Sequence, residues 1–392
     1  MGPSGRSPDS PLALAGFVVG LAGGCNLVLG ISDVPQPDDG SVAPARDTGA
    51  AVADATGSDA VAVEGDAADA AACGDGQATT DCAPCTHDCL GGACVRAQCQ
   101  PVALVQDAGV SPLALAQDDS FLYWTENNDS IYRTSKTSGV STLLYDDNGL
   151  EPVPIAVDDA GVYWGDLLGI WRCGKQDCPV SVMQLAGSAN LQDVQSLAID
   201  DVSVYWTEGA PSVLTAPKNG QTTQSGLPLW EGDASTENVT TDGKRVFFTA
   251  DDGLLHGVGV DGGAPFAIGS PSFSPSYGVA LDGDEVFWTV QDPRYGIVNG
   301  APLDSLSPVP LASDLQSPGS IASDGTNLYW IATIPDAGSA EGVYTCSITS
   351  CMPTLLAAGS HYLTSIVVDD TAVYFTDQGA TFTTGAVYRL AK

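Results

Sequence analysis

Between Asp118 and Phe375 one short signature occurs seven times: Asp-(Asp/Gly)-x-x-(Val/Leu)-(Tyr/Phe)-(Trp/Phe). The copies run 118–124, 158–164, 200–206, 242–248, 282–288, 324–330 and 369–375, so their ends step by 40, 42, 42, 40, 42 and 45 residues. A unit of this length, carrying one strand-like aromatic pair, cannot bury its own apolar face and must stack on its neighbours. A period near 42 with that signature predicts an all-β chain, a seven-bladed β-propeller of four-stranded antiparallel blades. Six blades is the alternative.

The first unit shows how a blade is read. Residues 113–116 suit a short inner strand, and Asp118-Asp119-Ser120 a turn in which Asp accepts backbone N–H groups. Residues 122–125 are rich in side chains that pack on a pleated surface and form the second strand. Residues 131–134 run back as the third strand, and 140–145 form the edge. The seventh unit stops at its third strand, 387–390. The unclaimed segment 101–106 is therefore expected to supply the missing fourth strand and close the ring, which removes exposed edges.

Leu122-Tyr123-Trp124-Thr125-Glu126, followed by Ile131-Tyr132-Arg133, resembles the Tyr-Trp-Thr-Asp repeats of low-density lipoprotein receptor propellers. Residues 204–208 and 373–377 follow the same pattern. The resemblance implies extracytoplasmic ligand binding without catalysis. This chain differs from that family, which usually has six blades, and it lacks the acidic fourth position in blades four, five and six.

Formal net charge is −35, with 13 Lys and Arg against 48 Asp and Glu. Such a surface repels phosphate backbones, which excludes nucleic acid as a partner. The apolar run 12–24 ends at Cys25; it is too short to span a bilayer and suits the core of a signal peptide. Leu21-Ala22-Gly23-Gly24-Cys25 resembles a bacterial lipobox. That resemblance implies a signal peptide over 1–25, lipidation of Cys25, and a lipoprotein at the outer membrane or cell surface, touching membrane only through the anchor. A periplasmic or secreted protein is the alternative. Residues 26–72, rich in Ala and Asp, cannot bury enough apolar area to fold and read as a disordered tether.

Six cysteines follow within 73–99: Cys73, Cys82, Cys85, Cys89, Cys94 and Cys99. In an exported segment this small they predict a knot of three disulfides whose pairing stays open. Zinc held through Cys82, Cys85, His87 and Cys89 is the less favoured reading. Cys173/Cys178 and Cys346/Cys351 fall at the same phase of two repeats. Each predicts a disulfide across the turn between third and fourth strands of the propeller, 101–392.

Catalytic parts are missing from the sequence. His87, His256 and His361 neighbour no nucleophile, and no Gly-x-Ser-x-Gly elbow occurs, so no catalytic residue and no cofactor is assigned. A propeller hydrolase or lyase working in the axial channel is the rival reading, and a structural surface protein without a small ligand is the third. The seven signature Asp residues form a ring too wide to converge on one ion. Turn formation explains them better than calcium. Function is expected in the unequal loops. The candidate ligand-binding residues are Trp230, Phe273, Tyr277, His361 and Tyr362 between blades, with Arg294 and Tyr295 after a second strand. They would serve a monomer that binds a protein or glycan partner.

Overall fold

The computed structural model describes residues 88–392 apart from 96–97, 107–110, 128–129, 147–152, 179, 188–193, 221–225, 273, 336, 360–361 and 380–383. The signal peptide, the tether, most of the knot, Phe273 and His361 lie outside the described residues.

Seven four-stranded antiparallel sheets make the ring. Blade one comprises Pro112–Gln117, Phe121–Glu126, Ser130–Ser135 and Ser141–Asp146, and blade two Ile155–Val157, Val162–Asp166, Gly169–Cys173 and Met183–Gly187. Blade three comprises Ser196–Ile199, Ser203–Thr207, Ser212–Pro217 and Leu227–Glu231. Blade four comprises Thr236–Thr241, Arg245–Ala250, Leu255–Gly259 and Phe266–Ile268. Blade five comprises Ser276–Asp282, Glu285–Val290, Gly296–Pro302 and Val309–Leu315. Blade six comprises Ile321–Ser323, Asn327–Thr333, Glu341–Ser347 and Thr354–Ala358. Blade seven takes Leu363–Val368, Ala372–Asp377 and Ala386–Ala391 from one end of the ring and Val102–Gln106 from the other. Val102 lies opposite Arg389 and Gln106 opposite Ala386, so the expected closing strand is the observed one.

Each interface between successive blades holds its own apolar cluster, and one rule builds all of them. The sixth signature residue of one blade packs with the seventh of the next, as in Tyr163 with Trp206, Phe287 with Trp330, and Tyr374 with Trp124. Because the two residues are adjacent on a strand, their side chains leave opposite faces of the sheet. Each blade thus offers one ring to the blade before it and one to the blade after.

A second rule concerns the residue after the aromatic pair. In blades one, four, five and seven the innermost strand carries a register shift against its neighbour. The shift leaves an N–H without its ladder partner, and a buried Thr hydroxyl accepts it: Ala114 N–H to Thr125, Asn238 to Thr249, Gly278 to Thr289, Ser365 to Thr376. Thr125 and Thr289 then donate to Val153 O and Gly319 O of the next blade at 2.9 Å. One hydroxyl thus satisfies two backbone groups and couples neighbouring blades near the axis.

The face carrying the turns between first and second strands is called lower here. There the signature Asp caps its own turn: Asp118 Oδ1 accepts the N–H groups of Ser120 and Phe121, and its Oδ2 accepts the Tyr123 hydroxyl at 2.9 Å. Gly243, Gly283 and Gly325 take positive φ at the first central position, as a type II′ turn requires. The lower face also holds Cys173–Cys178 and Cys346–Cys351. Within the described part of the knot, Cys89 pairs with Cys99, and Cys94 is disulfide-bonded as well. Cys89 and Cys99 are buried against the interface of blades six and seven, and the Leu90 carbonyl accepts the Arg389 guanidinium.

Candidate functional site

Four lower-face carboxylates are matched by cations from the following blade. Lys175 of blade two reaches Asp118 of blade one at 2.8 Å, and Lys136 of blade one reaches Asp369 of blade seven at 2.8 Å. Lys392 of blade seven reaches Asp324 of blade six at 2.6 Å, and Lys218 of blade three pairs with Asp158 of blade two. Third-strand arginines reinforce three of these joints: Arg133, Arg172 and Arg389 donate to the carbonyls of Lys175, Lys218 and Lys136. Burial pushes the Asp369 carboxyl up, but Lys136 and the Thr371 and Ala372 donors outweigh it and bring it down to about 2. Asp324 falls to about 2 as well, burial being outweighed by Lys392 and its turn donors. Burial, with the neighbouring Asp158, pushes the Tyr163 hydroxyl up to about 12.

Two hollows open on this face. One of about 510 Å³ is lined by Gln117, Asp118, Asp119, Lys136, Asp369, Asp370 and Thr371. The other, about 260 Å³, lies around Asp118, Tyr123, Asp159 and Lys175. Both contain the ion pairs just described, so structural contacts already use much of their charge.

The upper face differs where blade three meets blade four. Leu227–Glu231 shifts register against the third strand, which places Trp230 opposite Val213. From there its ring meets Phe248 at 4.7 Å and His256 at 5.7 Å. Phe248 and His256 stack at 5.3 Å with planes 12° apart. His256 Nε2 lies 3.0 and 3.1 Å from the two Asp252 oxygens. Backbone bonds tie the adjoining loops together: Asp251 N–H donates to Ser235 O at 3.0 Å, and Ser235 N–H to Asp251 Oδ1 at 3.1 Å. Between them lies a cavity of about 380 Å³ lined by Trp230, Asp233, Ala234, Asp251, Asp252 and His256. Toward the axis, burial and the nearby Asp251 charge raise the Glu237 carboxyl. Burial, then Glu237 and Glu341, raise the Tyr277 hydroxyl and keep it a hydrogen-bond donor.

The sequence candidates therefore do not form one site. Trp230 lies on an edge strand and Tyr277 on the innermost strand of blade five, not on the loops where they were expected. Each follows a register shift that no residue pattern announces. Arg294 and Tyr295 sit together after the second strand of blade five, where Asp292 Oδ1 accepts both N–H groups at 2.8 Å. Tyr295 is 68% exposed. Tyr362 lies in blade seven's entry loop, its carbonyl accepting the Gln378 N–H. His256 sits on a third strand, two strands out from the axis, and so lies away from the axial channel in which the rival hydrolase or lyase reading places its chemistry. Asp233, Asp251, Asp252 and Glu237 were not singled out from sequence. The Asp251-Asp252-Gly253 turn entering the His256 strand was the available signal.

Among the described residues no set of three His, Cys, Asp or Glu side chains is placed to hold a metal ion.

No protein-family model matches this chain, and no curated protein matches it in sequence. Solved structures do match in shape. The U3-55K structure superposes with a TM-score of 0.60 at 13% identity, over 75% of this chain and 98% of that one. The RRP9 WD40 repeats give 0.58 at 13% identity, over 74% and 97%. The Neurospora crassa Pan2 WD40 domain gives 0.55 at 8% identity, over 79% and 98%. At such identity the likeness shows the propeller fold alone.

Proposed function

We propose that this chain is an exported, lipid-anchored interaction protein whose upper loops bind a partner where blades three and four meet. One observation carries the reading. Four lower-face carboxylates, Asp118, Asp158, Asp324 and Asp369, are engaged by the ring's own lysines, whereas the upper cavity presents Trp230, His256 and three aspartates without a lining Lys or Arg. A concave site with an aromatic wall and a few convergent polar groups is the usual form of a binding site. The three disulfides fit an oxidising compartment, and the lipobox-like run before Cys25 supports the anchor.

Cross-linking of the full chain in its native membrane fraction, mapped by mass spectrometry, tests the binding face. Cross-links are expected in the upper loops 232–235 and 251–254. Cross-links confined to the lower turns 118–120 and 158–160 would overturn the reading. The anchor has a separate test: the mature N-terminus should be a lipid-modified Cys25, and an unmodified terminus elsewhere removes it.

A further inference from the structure

We infer that the cavity between blades three and four is a receptor for one organic cation, an ammonium or guanidinium group; this rests on the upper face being the binding face.

Chemistry of the walls points that way. An indole ring attracts a cation through its negative face, and Trp230 supplies that ring beside the carboxylates of Asp233, Asp251 and Asp252. The absence of a lining lysine separates this cavity from the two acidic hollows of the lower face, where Lys136 and Lys175 stand beside Asp369 and Asp118. Eight of the chain's 13 basic residues are engaged elsewhere in the ring: Arg133, Lys136, Arg172, Lys175, Lys218, Arg245, Arg389 and Lys392. No described Lys or Arg lines the cavity.

Its electrostatics select among ligands. Asp252 is oriented by His256 and by the Leu254 N–H, and Asp251 by Ser235. These bonds fix the carboxylates in place at the cavity wall. Asp233, Asp251 and Asp252 gather on one wall with no described Lys or Arg beside them, and Glu237 behind them, raised first by burial, also feels the repulsion of Asp251. A neutral sugar could stack on the indole but would leave that repulsion in place. A cation relieves it. A metal ion is disfavoured by the missing convergent ligand set, and a volume of about 380 Å³ suits an organic head group.

The cation could be a free amine or the side chain of a basic partner. Calorimetric titration of the full chain with agmatine, with an arginine-containing Gly/Ser peptide, and with glucose distinguishes them. Saturable binding of agmatine or the peptide is expected, with no response to glucose. Stronger binding of the peptide assigns the ligand to a partner's side chain; binding of agmatine alone assigns it to a free amine. Trp230→Ala and, at the exposed rim, Asp251→Asn should each weaken binding about tenfold. Asp201→Asn on the lower face should not change it. Equal affinity in all variants would mean that the overall charge of the chain attracts cations without a site, and would overturn the inference. So would saturable glucose binding or the absence of any cation response. Cross-links still mapping to the upper loops would then leave the broader function standing, whereas cross-links on the lower face would remove both.

Discussion

Four interfaces, from blade six round to blade three, are latched by charge; the three from blade three round to blade six are latched by apolar side chains. The slot is the same in both halves. In blades one, three and seven the backbone N–H of Lys136, Lys218 and Lys392 donates to the turn between first and second strands. In blades four, five and six the residues in that bonding position are Val260, Leu303 and Ile348. There they pack into the clusters of Tyr205, Phe247 and Phe287 instead of reaching a carboxylate. Other features divide the same way. Blades seven, one, two and three carry Asp-Asp at the turn and a buried Asp or Glu at the end of the second strand or just past it: Asp377, Glu126, Asp166 and Glu208. Blades four, five and six carry Asp-Gly, with Ala250, Val290 and Ala332 at that strand position. One exception stands at blades four and five, where Arg245 pairs with its own Asp242 and donates to Leu303 O at 2.7 Å. The ring thus closes equally well by two chemistries, because the aromatic interlock beneath the latch is common to all seven interfaces.

That common interlock predicts the largest effect. Trp164→Ala in the charged half and Trp288→Ala in the apolar half remove side chains that are 0% and 1% exposed. Each should cost about 3–5 kcal/mol in urea unfolding. A large cost in only one half would break the claim of a shared core.

Next comes Lys136→Met, which keeps the aliphatic stem and removes the cation from Asp369. With the Asp369 carboxyl at about 2 in the fold and 3.8 as its ordinary value, the paired carboxylate contributes about 2 kcal/mol. A depressed carboxylate stabilises above its unfolded value, and the contribution is lost as pH falls through the folded one. The penalty of Lys136→Met should therefore be full near pH 7 and shrink between about pH 4 and 2. Urea unfolding across that range checks it; a penalty independent of pH would show that the lysine acts by packing alone.

The smallest effect is expected from Ile348→Lys, which places a cation in the slot facing blade five. Its stem can lie where the isoleucine packs, and the change should cost less than about 1 kcal/mol by thermal unfolding. A loss of several kcal/mol would mean that the slots are not equivalent.

The fold was largely legible because its signature is local. Seven Asp–aromatic copies mark turn and strand directly, and the missing fourth strand of the last unit pointed to 101–106 as the closure, observed as Val102–Gln106. The latches were less legible. Lys136 and Ile348 serve the same backbone position, yet they share no chemistry and act on a residue of another blade. The Thr hydroxyls were visible in the Tyr-Trp-Thr pattern, but their role depends on register shifts that only the paired strands reveal. The cavity was least legible. Trp230 could be suspected as an aromatic near a loop, but its meeting with His256 joins an edge strand of one blade to the third strand of the next.

Hydrogen exchange of the full chain, corrected for intrinsic rates and followed from pH 4 to pH 2, tests the two-chemistry ring most directly. Protonation of Asp324 and Asp369 should open the interfaces of blades six with seven and seven with one, while that of blades five with six, closed by Ile348 and Phe287, keeps its protection. Uniform loss of protection around the ring, or earlier opening between blades five and six, would contradict it.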